Sequence, residues 1–452
     1  MRLTKIAVAL LAVTLFAPAA FLFSQQPQVV TGTRTGAVAI RVAAPEFELR
    51  ANRPGAAELI TSFNETLWND LEFSGVLTLV SRSFYPLGQF GRAIDIDTTA
   101  WTTPDVDAQF LAFGNGQING GEFAVEAHLW DLKTRMQDRE EIGLRFRATS
   151  SETSVRGSAH KFADMIIELL GGGIRGVSQT KMAFVSDRSG EKEIWVMDYD
   201  GHNQHQLTTV RNLALTPSWA PGGERIAYTT YARNVPDIAI ISRIDRRGFP
   251  FPELDGTTTT PNWSPDGDLI AFSSSMNKVR NVHDLELYVS DSRGRNPRRL
   301  TTSYGVDMSP VWNPKTGREI AFLSDRSGSP QLYTIDARGG NLRQIVSGGG
   351  EAVNPAWSPD GQTIAFAWKR PRSPHFDIYL HDLATNRNVQ LTQNRRDNER
   401  PNWAPDGRHI VFESDRTGRK QIYSMLADGT EVRQLTREGK NEGPAWSPYI
   451  GQ

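Results

Sequence analysis

Pro355-Ala-Trp357-Ser-Pro359-Asp-Gly361-Gln-Thr-Ile-Ala-Phe366 is the fullest copy of a phrase that this 452-residue chain repeats. Its core, Pro-x-Trp-(Ser/Ala/Asn)-Pro, occurs six times, at Trp219, Trp263, Trp312, Trp357, Trp403 and Trp446, in steps of 44, 49, 45, 46 and 43 residues. Six of the 11 Trp sit in this phrase, so composition alone does not explain it. A period in the forties with strand-like content marks a β-propeller, one blade per repeat. Trp lies on the innermost strand, where a large flat ring buries between wedge-shaped blades. Pro-Asp-Gly turns the chain, with Gly taking φ > 0. Ile-Ala-Phe is the next strand, buried on both faces. Ile378-Tyr379 and its equivalents form the third. The outer strand ends in Leu-Thr, as at Leu207-Thr208 and Leu435-Thr436.

The ends of the array set the blade count. Lys181 to Thr208 supplies three strands with no Trp phrase before them, and Pro444 to Pro448 supplies a Trp phrase with no strands after it. Together they make one blade. The expected fold is therefore mainly β: a C-terminal six-bladed propeller over 179–452, closed by the C-terminal strand. Closure removes the sheet edges that invite aggregation.

Working outward, residues 37–178 read as a small α/β domain. Strands are expected at Ala37–Val42, Val76–Val80, Gln109–Phe113, Phe123–Trp130 and Leu144–Ala148. One helix carries Ile60, Phe63, Leu67 and Leu71 on one face. A second carries Ala159, Phe162, Ala163, Ile166 and Leu170, ended by Gly171-Gly-Gly173. Gly114-Asn-Gly116 lacks the third Gly and the Lys of a phosphate loop and reads as hairpin chemistry, with Asn119-Gly120 as the turn. Residues 1–24 pair Arg2 and Lys5 with the apolar run Ile6–Phe16 and an Ala-x-Ala site. They read as a secretory signal cleaved after Ala19 or near Ser24, with a membrane anchor as the alternative. Residues 25–36 are polar and aperiodic: a flexible terminus, or a segment that docks on a partner.

Lys+Arg number 50 and Asp+Glu 51, so no basic field favours nucleic acid. The chain has no Cys, which excludes disulfides and thiolate chemistry. His202 and His205 stand three apart on a strand, on opposite faces, and read as solvent-facing turn residues rather than metal ligands. Asp198-Tyr-Asp200-Gly reads as a hairpin turn. Ser-Asp-Arg-x-Gly at Asp187, Asp325 and Asp415 reads as a turn with an inter-blade ion pair. No Gly-x-Ser-x-Gly elbow is present. No catalytic, cofactor or metal residue is assigned.

The loops entering the innermost strands ring one mouth of a propeller channel. The third and fourth residues before each Trp are therefore the candidate partner-binding set: Leu215 and Thr216, Thr259 and Thr260, Met308 and Ser309, Val353 and Asn354, Glu399 and Arg400, Glu442 and Gly443. The set mixes apolar, hydroxyl and charged groups without His, which suits docking of a polypeptide more than acid–base catalysis.

The whole arrangement resembles the TolB family, the periplasmic component of the Tol–Pal system. The resemblance rests on the Trp-Ser-Pro-Asp-Gly repeats, Asp198-Tyr-Asp-Gly201-x-Asn203, the terminal Pro444-Ala-Trp446-Ser-Pro-Tyr449, the preceding α/β domain and the export signal. It implies a periplasmic, monomeric binding protein, peripheral to membranes, that supports outer-membrane integrity and envelope constriction at cell division. It implies docking of the peptidoglycan-associated lipoprotein Pal at the propeller mouth, a contact that bacteriocins mimic, and of TolA on the N-terminal segment. An outer-membrane lipoprotein or porin is a further expected partner. Residues 25–36 do not match the family's TolA-binding segment residue by residue. Two other readings compete: an exported propeller enzyme acting on sugars or lactones, and a scaffold binding through the α/β domain.

Overall fold

The computed structural model describes residues 40–451 except 51–53, 89, 93, 95, 120, 134–140, 277–284 and 394–395. The expected signal and the segment 25–36 lie outside the described residues. No described helix is long and apolar enough to cross a membrane.

The first part of the chain builds a mixed sheet. Its strands are β1 (Ile40–Ala43), β2 (Glu48–Leu49), β3 (Leu77–Leu79), β4 (Phe110–Asn119), β5 (Glu122–Asp131) and β6 (Glu141–Thr149). The order is β3-β1-β4-β5-β6, with β2 also on β4. β1 runs parallel to β3 and β4, while β4, β5 and β6 are antiparallel. α1 (Ala56–Phe73) and α3 (Glu152–Leu170) lie on one face. Their buried Phe63, Leu67, Leu71, Ala159, Phe162 and Ile166 recur at the three- and four-residue steps of a helix stripe. Ser151 caps α3 by accepting from the Ser154 amide.

The other face is covered too, by the segment between β3 and β4. There α2 (Thr98–Trp101) places a fully buried Trp101 against Leu111 and Phe113 of β4. β4 alternates, with Ala112 toward α1 and α3 and Leu111 and Phe113 toward Trp101, as a two-residue period requires. β4 also corrects the reading of Gly114 and Gly116. Neither is in a turn; both pair inside the β4–β5 ladder, opposite Ala127 and Val125. A Cβ on Gly114 would stand 2.1 Å from the Glu126 carbonyl oxygen and 2.5 Å from the Phe47 ring, so the glycines permit close approach. The ladder runs on to Asn119 opposite Glu122, so Asn119 ends the strand rather than opening the turn.

Six four-stranded antiparallel sheets follow. Blade 1 joins Asn441–Trp446 to Lys181–Ser189, with Trp446 opposite Met182, so the last strand closes the ring. Blades 2 to 6 begin at Ala214, Thr258, Asp307, Glu351 and Asn398. The large–small–large pattern of the second strand sets how blades meet. In blade 5, Trp357, Ile364, Phe366 and Tyr379 face Ala321 and Leu332 of blade 4. On its other side Ala356, Ala365 and Ala367 receive Trp403, Ile410 and Phe412 of blade 6. Bulky face thus meets small face around the ring. The indole nitrogens of Trp219, Trp357 and Trp403 donate to the carbonyls of Ala445, Val311 and Ala356 in the preceding blade, at 3.0, 3.0 and 3.2 Å. The turn glycines 223, 267, 317, 361 and 407 all have positive φ, from 60° to 77°.

Leu-Thr lies just beyond the short outer strand rather than within it. Its Thr is a lock. Thr436 Oγ1 accepts the Ile422 amide at 2.9 Å and donates to Gln421 Oε1 at 2.7 Å. Thr208, Thr301 and Thr392 repeat this with Glu193, Glu286 and Asp377. Thr436→Val keeps the shape but strands a buried N–H, so it should cost about 1–3 kcal/mol. A urea midpoint unchanged from the parent would show the lock to be dispensable.

The Ser-Asp-Arg-x-Gly turns act through backbone amides, and the Asp325 copy departs from one expectation. Asp325 and Asp415 accept backbone amides of Val306 and Asp397. Arg326 pairs with Asp307 at 2.6 Å inside its own blade, so no inter-blade ion pair forms there.

Candidate functional site

The innermost strands surround a channel of about 550 Å³. The residues just before each Pro-x-Trp, Thr216, Thr260, Ser309, Asn354, Arg400 and Gly443, all line it. They lie within the strands rather than in the entering loops, because each innermost strand begins two or three residues earlier. All six have positive φ, between 50° and 59°. The ladder slips at the same place in every blade, a β-bulge that leaves these residues unpaired. For β-branched Thr216 and Thr260 this conformation is strained. Strain repeated around one mouth marks a built surface. Ser309→Gly should relieve it and Ser309→Val increase it, a separation of about 1–2 kcal/mol between the two variants in thermal unfolding. Equal melting temperatures would show the bulge to be unstrained.

The partner residues Leu215, Thr259, Met308, Val353, Glu399 and Glu442 stay in the ladder, opposite Thr229, Ser273, Leu323, Ala367, Glu413 and Val185. Sequence reasoning missed these six facing residues. Their signal was present, since each directly follows the aromatic of its blade's second strand.

Together the two rows divide the mouth into three sectors. Blades 2 and 3 form a hydroxyl chain. Thr229 Oγ1 lies 2.7 Å from Thr216 Oγ1 and 3.1 Å from Thr259 Oγ1, and Thr260 Oγ1 lies 2.9 Å from Ser273 Oγ. Blades 4 and 5 are apolar, with Met308, Leu323, Val353 and Ala367. Blades 6 and 1 are charged. Buried Glu413 accepts from Lys420 at 2.6 Å and from the Gly443 amide at 2.7 Å, with Arg400 at 3.7 Å. Glu399 also takes Lys420, and Glu442 pairs with Lys192 and Lys440. Burial alone would lower the Lys420 ammonium, but Glu413 and Glu399 outweigh it and hold the pKa above its ordinary value. Burial would raise Glu442; Lys192, Lys440 and Arg400 outweigh it and hold it low. Among the described residues lining the channel, Arg400 is the one charged side chain.

The α/β domain sits at the other end, on the Pro-Asp-Gly side of blades 6 and 1. His409 joins Asp406 Oδ2 and the Phe73 carbonyl, both at 2.7 Å, and Arg408 donates to the Ser74 carbonyl. Tyr199 donates to Asp70, and Arg156 pairs with Asp200. The hairpin at Asp198 is as expected, with the Gly201 amide on the Asp198 carbonyl. His202 and His205 are both exposed, as expected, and His202 also lies at the edge of this junction, 3.1 Å from Arg156. Asp70, His160 and Asp200 bring donor atoms within 4.8 Å of one another. The Arg156 guanidinium already occupies Asp200 there, so the cluster is an ion-pair network rather than a cation cage.

A family model described as the TolB beta propeller domain matches residues 168–450. The chain belongs to this family. A "Protein TolB homolog" of Chlorobium chlorochromatii is 31% identical over 299 residues, covering 65% of this chain and 63% of that one. A "Tol-Pal system protein TolB" of Bordetella pertussis is 33% identical over 303 residues, covering 66% and 63%. The chain thus spans just under two thirds of the length of these family members. The crystal structure of TolB from Acinetobacter baumannii superposes with a TM-score of 0.72 at 24% identity, over 91% of this chain and 98% of that one, and shows the shared fold.

Proposed function

We propose that this chain is the periplasmic component of a Tol–Pal system, a binding protein rather than an enzyme. In this reading it docks Pal on the channel mouth and links to TolA through the N-terminal segment, in support of outer-membrane integrity and constriction at division. One observation carries the reading: a family propeller whose six innermost strands all bulge at the mouth away from the α/β domain. That mouth offers hydroxyl, apolar and charged sectors around a rigid ring, the mixture a polypeptide interface uses. Rigid scaffolding lowers the ordering cost of binding.

Calorimetric titration with the periplasmic domain of the same organism's Pal tests it. Changing Thr260→Arg, Met308→Trp and Glu399→Lys together places one disruption in each sector. Affinity should fall by more than about tenfold, or 1.4 kcal/mol, with the thermal transition retained. Undiminished binding by a folded triple variant would move the docking site off the mouth.

A further inference from the structure

The junction between the α/β domain and blade 1 encloses a histidine that the proposed docking does not use. His160 of α3 is 4% exposed. Its Nδ1 lies 2.7 Å from Asp70 Oδ2 on α1, and its Nε2 lies 3.7 Å from Asp200 Oδ2 on the blade 1 hairpin. The same imidazole thus faces one carboxylate from each body. Tyr199 stands edge-on to the ring at 5.8 Å and donates to the other Asp70 oxygen. His202 lies 3.3 Å from Asp200 on the hairpin side. From its own helix come Arg156, bound to Asp200 and Thr66, and Asp164, held by the Ser178 amide and Gln179.

Charge counting shows what this arrangement requires. Asp70 and Asp200, the two carboxylates against the ring nitrogens, bring two negative charges, and Arg156, bound to Asp200, brings one positive. A neutral imidazole leaves a buried negative charge unbalanced, which is costly; an imidazolium balances the set. His160 Nε2 has no hydrogen-bond partner within range, so it is the Asp200 charge, across 3.7 Å, that rewards the proton there. Burial alone would push the imidazole pKa down, but Asp70, through charge and hydrogen bond, and Asp200 outweigh burial and Arg156 and hold it above the ordinary value. Burial would raise Asp200; His202, His160 and Arg156 outweigh it and keep it low.

We propose that His160 is a proton-operated clasp, ionised when the α/β domain is locked on blade 1 and releasing that junction when it loses its proton. A histidine raised in the folded state contributes stability that is complete below about pH 6.5 and is lost as pH rises through the raised value. The clasp therefore holds below that raised midpoint and loosens above it. It is independent of what binds the mouth.

Ring-carbon NMR of the full chain, with His160 assigned by His160→Gln, tests the proposal together with hydrogen exchange. The His160 midpoint should lie above about 6.5. Asp200→Asn, which removes the blade's charge and keeps its shape, should lower that midpoint. Protection of the 198–203 hairpin, corrected for intrinsic exchange, should fall on the order of tenfold across the titration. His160→Gln should show the low protection at both ends of the range. The Asp200→Asn arm stands even if His160→Gln does not fold. A midpoint at or below the ordinary value overturns the clasp, as does protection indifferent to pH. Displacement of the His160 proton by added Zn²⁺ alone would also overturn it, because the cluster would then be a cation site.

Discussion

A chain ending at Glu438 should show no cooperative unfolding transition for its propeller. The missing residues supply Asn441–Trp446, the innermost strand of blade 1, whose pairing with Lys181–Ser189 is the ring's closure. Trp446 is buried with Phe73, Met182 and Val411, and its indole donates to Thr180 at 2.8 Å. Losing a buried Trp of this kind costs about 3–5 kcal/mol. Trp219 would also lose its acceptor, the Ala445 carbonyl, and Asp187 its Lys440 amide. The stranded Trp219 indole adds about 1–3 kcal/mol. The sum approaches the whole stability of a domain, about 5–15 kcal/mol. Differential scanning calorimetry reads the outcome. A truncated chain melting within a few degrees of the parent would mean that five blades stand alone and that the closure is ornamental.

Gly114→Ala is expected to cost about 3 kcal/mol, the upper end of what an added methyl exacts in a packed core. The new Cβ would meet the Glu126 carbonyl oxygen at 2.1 Å, and that oxygen is backbone of the neighbouring strand. β4 and β5 would have to part where their ladder is longest, and Phe47, at 2.5 Å, blocks escape toward the helices. Gly157 of α3 meets nothing within 4 Å and serves as the control. Gly157→Ala should be neutral or stabilising by up to about 1 kcal/mol, since alanine favours the helix. Similar denaturant midpoints for the two variants would contradict the close-approach account of Gly114.

The propeller was legible because its repeat is punctuated by residues with one physical use each. Trp357 fills a wedge, Gly361 takes a turn at φ 71° and Ile364-Ala-Phe366 writes the two unequal faces of a blade. The two helix stripes were legible for the same reason. The cover over the second face of the N-terminal sheet was not. Residues between β3 and β4 carry little periodicity, and Trp101 is buried by tertiary contact rather than by any local pattern. The mouth was half legible. Spacing located the six residues that line the channel, yet nothing in Thr216 or Arg400 announces positive φ, which comes from the slipped ladder. The junction was opaque, since Asp70, His160 and Asp200 are brought together from 130 residues of chain by packing alone.

Ring closure has a consequence in time as well as in space. Met182 enters the propeller's first strand and waits for Trp446, which is made 264 residues later. Until then one edge of blade 1 has a row of unpaired amides and carbonyls, and its bulky face, with Met182, Phe184 and Met197, waits for Val411 and Ile422 of blade 6. Loop closure over such a distance is slow, and the half-built arc is sticky for as long as it lasts. The strand Asn441–Trp446 therefore acts as a latch on the whole molecule. A growing chain stays an open, aggregation-prone crescent until Asn441–Trp446 is free to pair, and only then becomes a ring without edges.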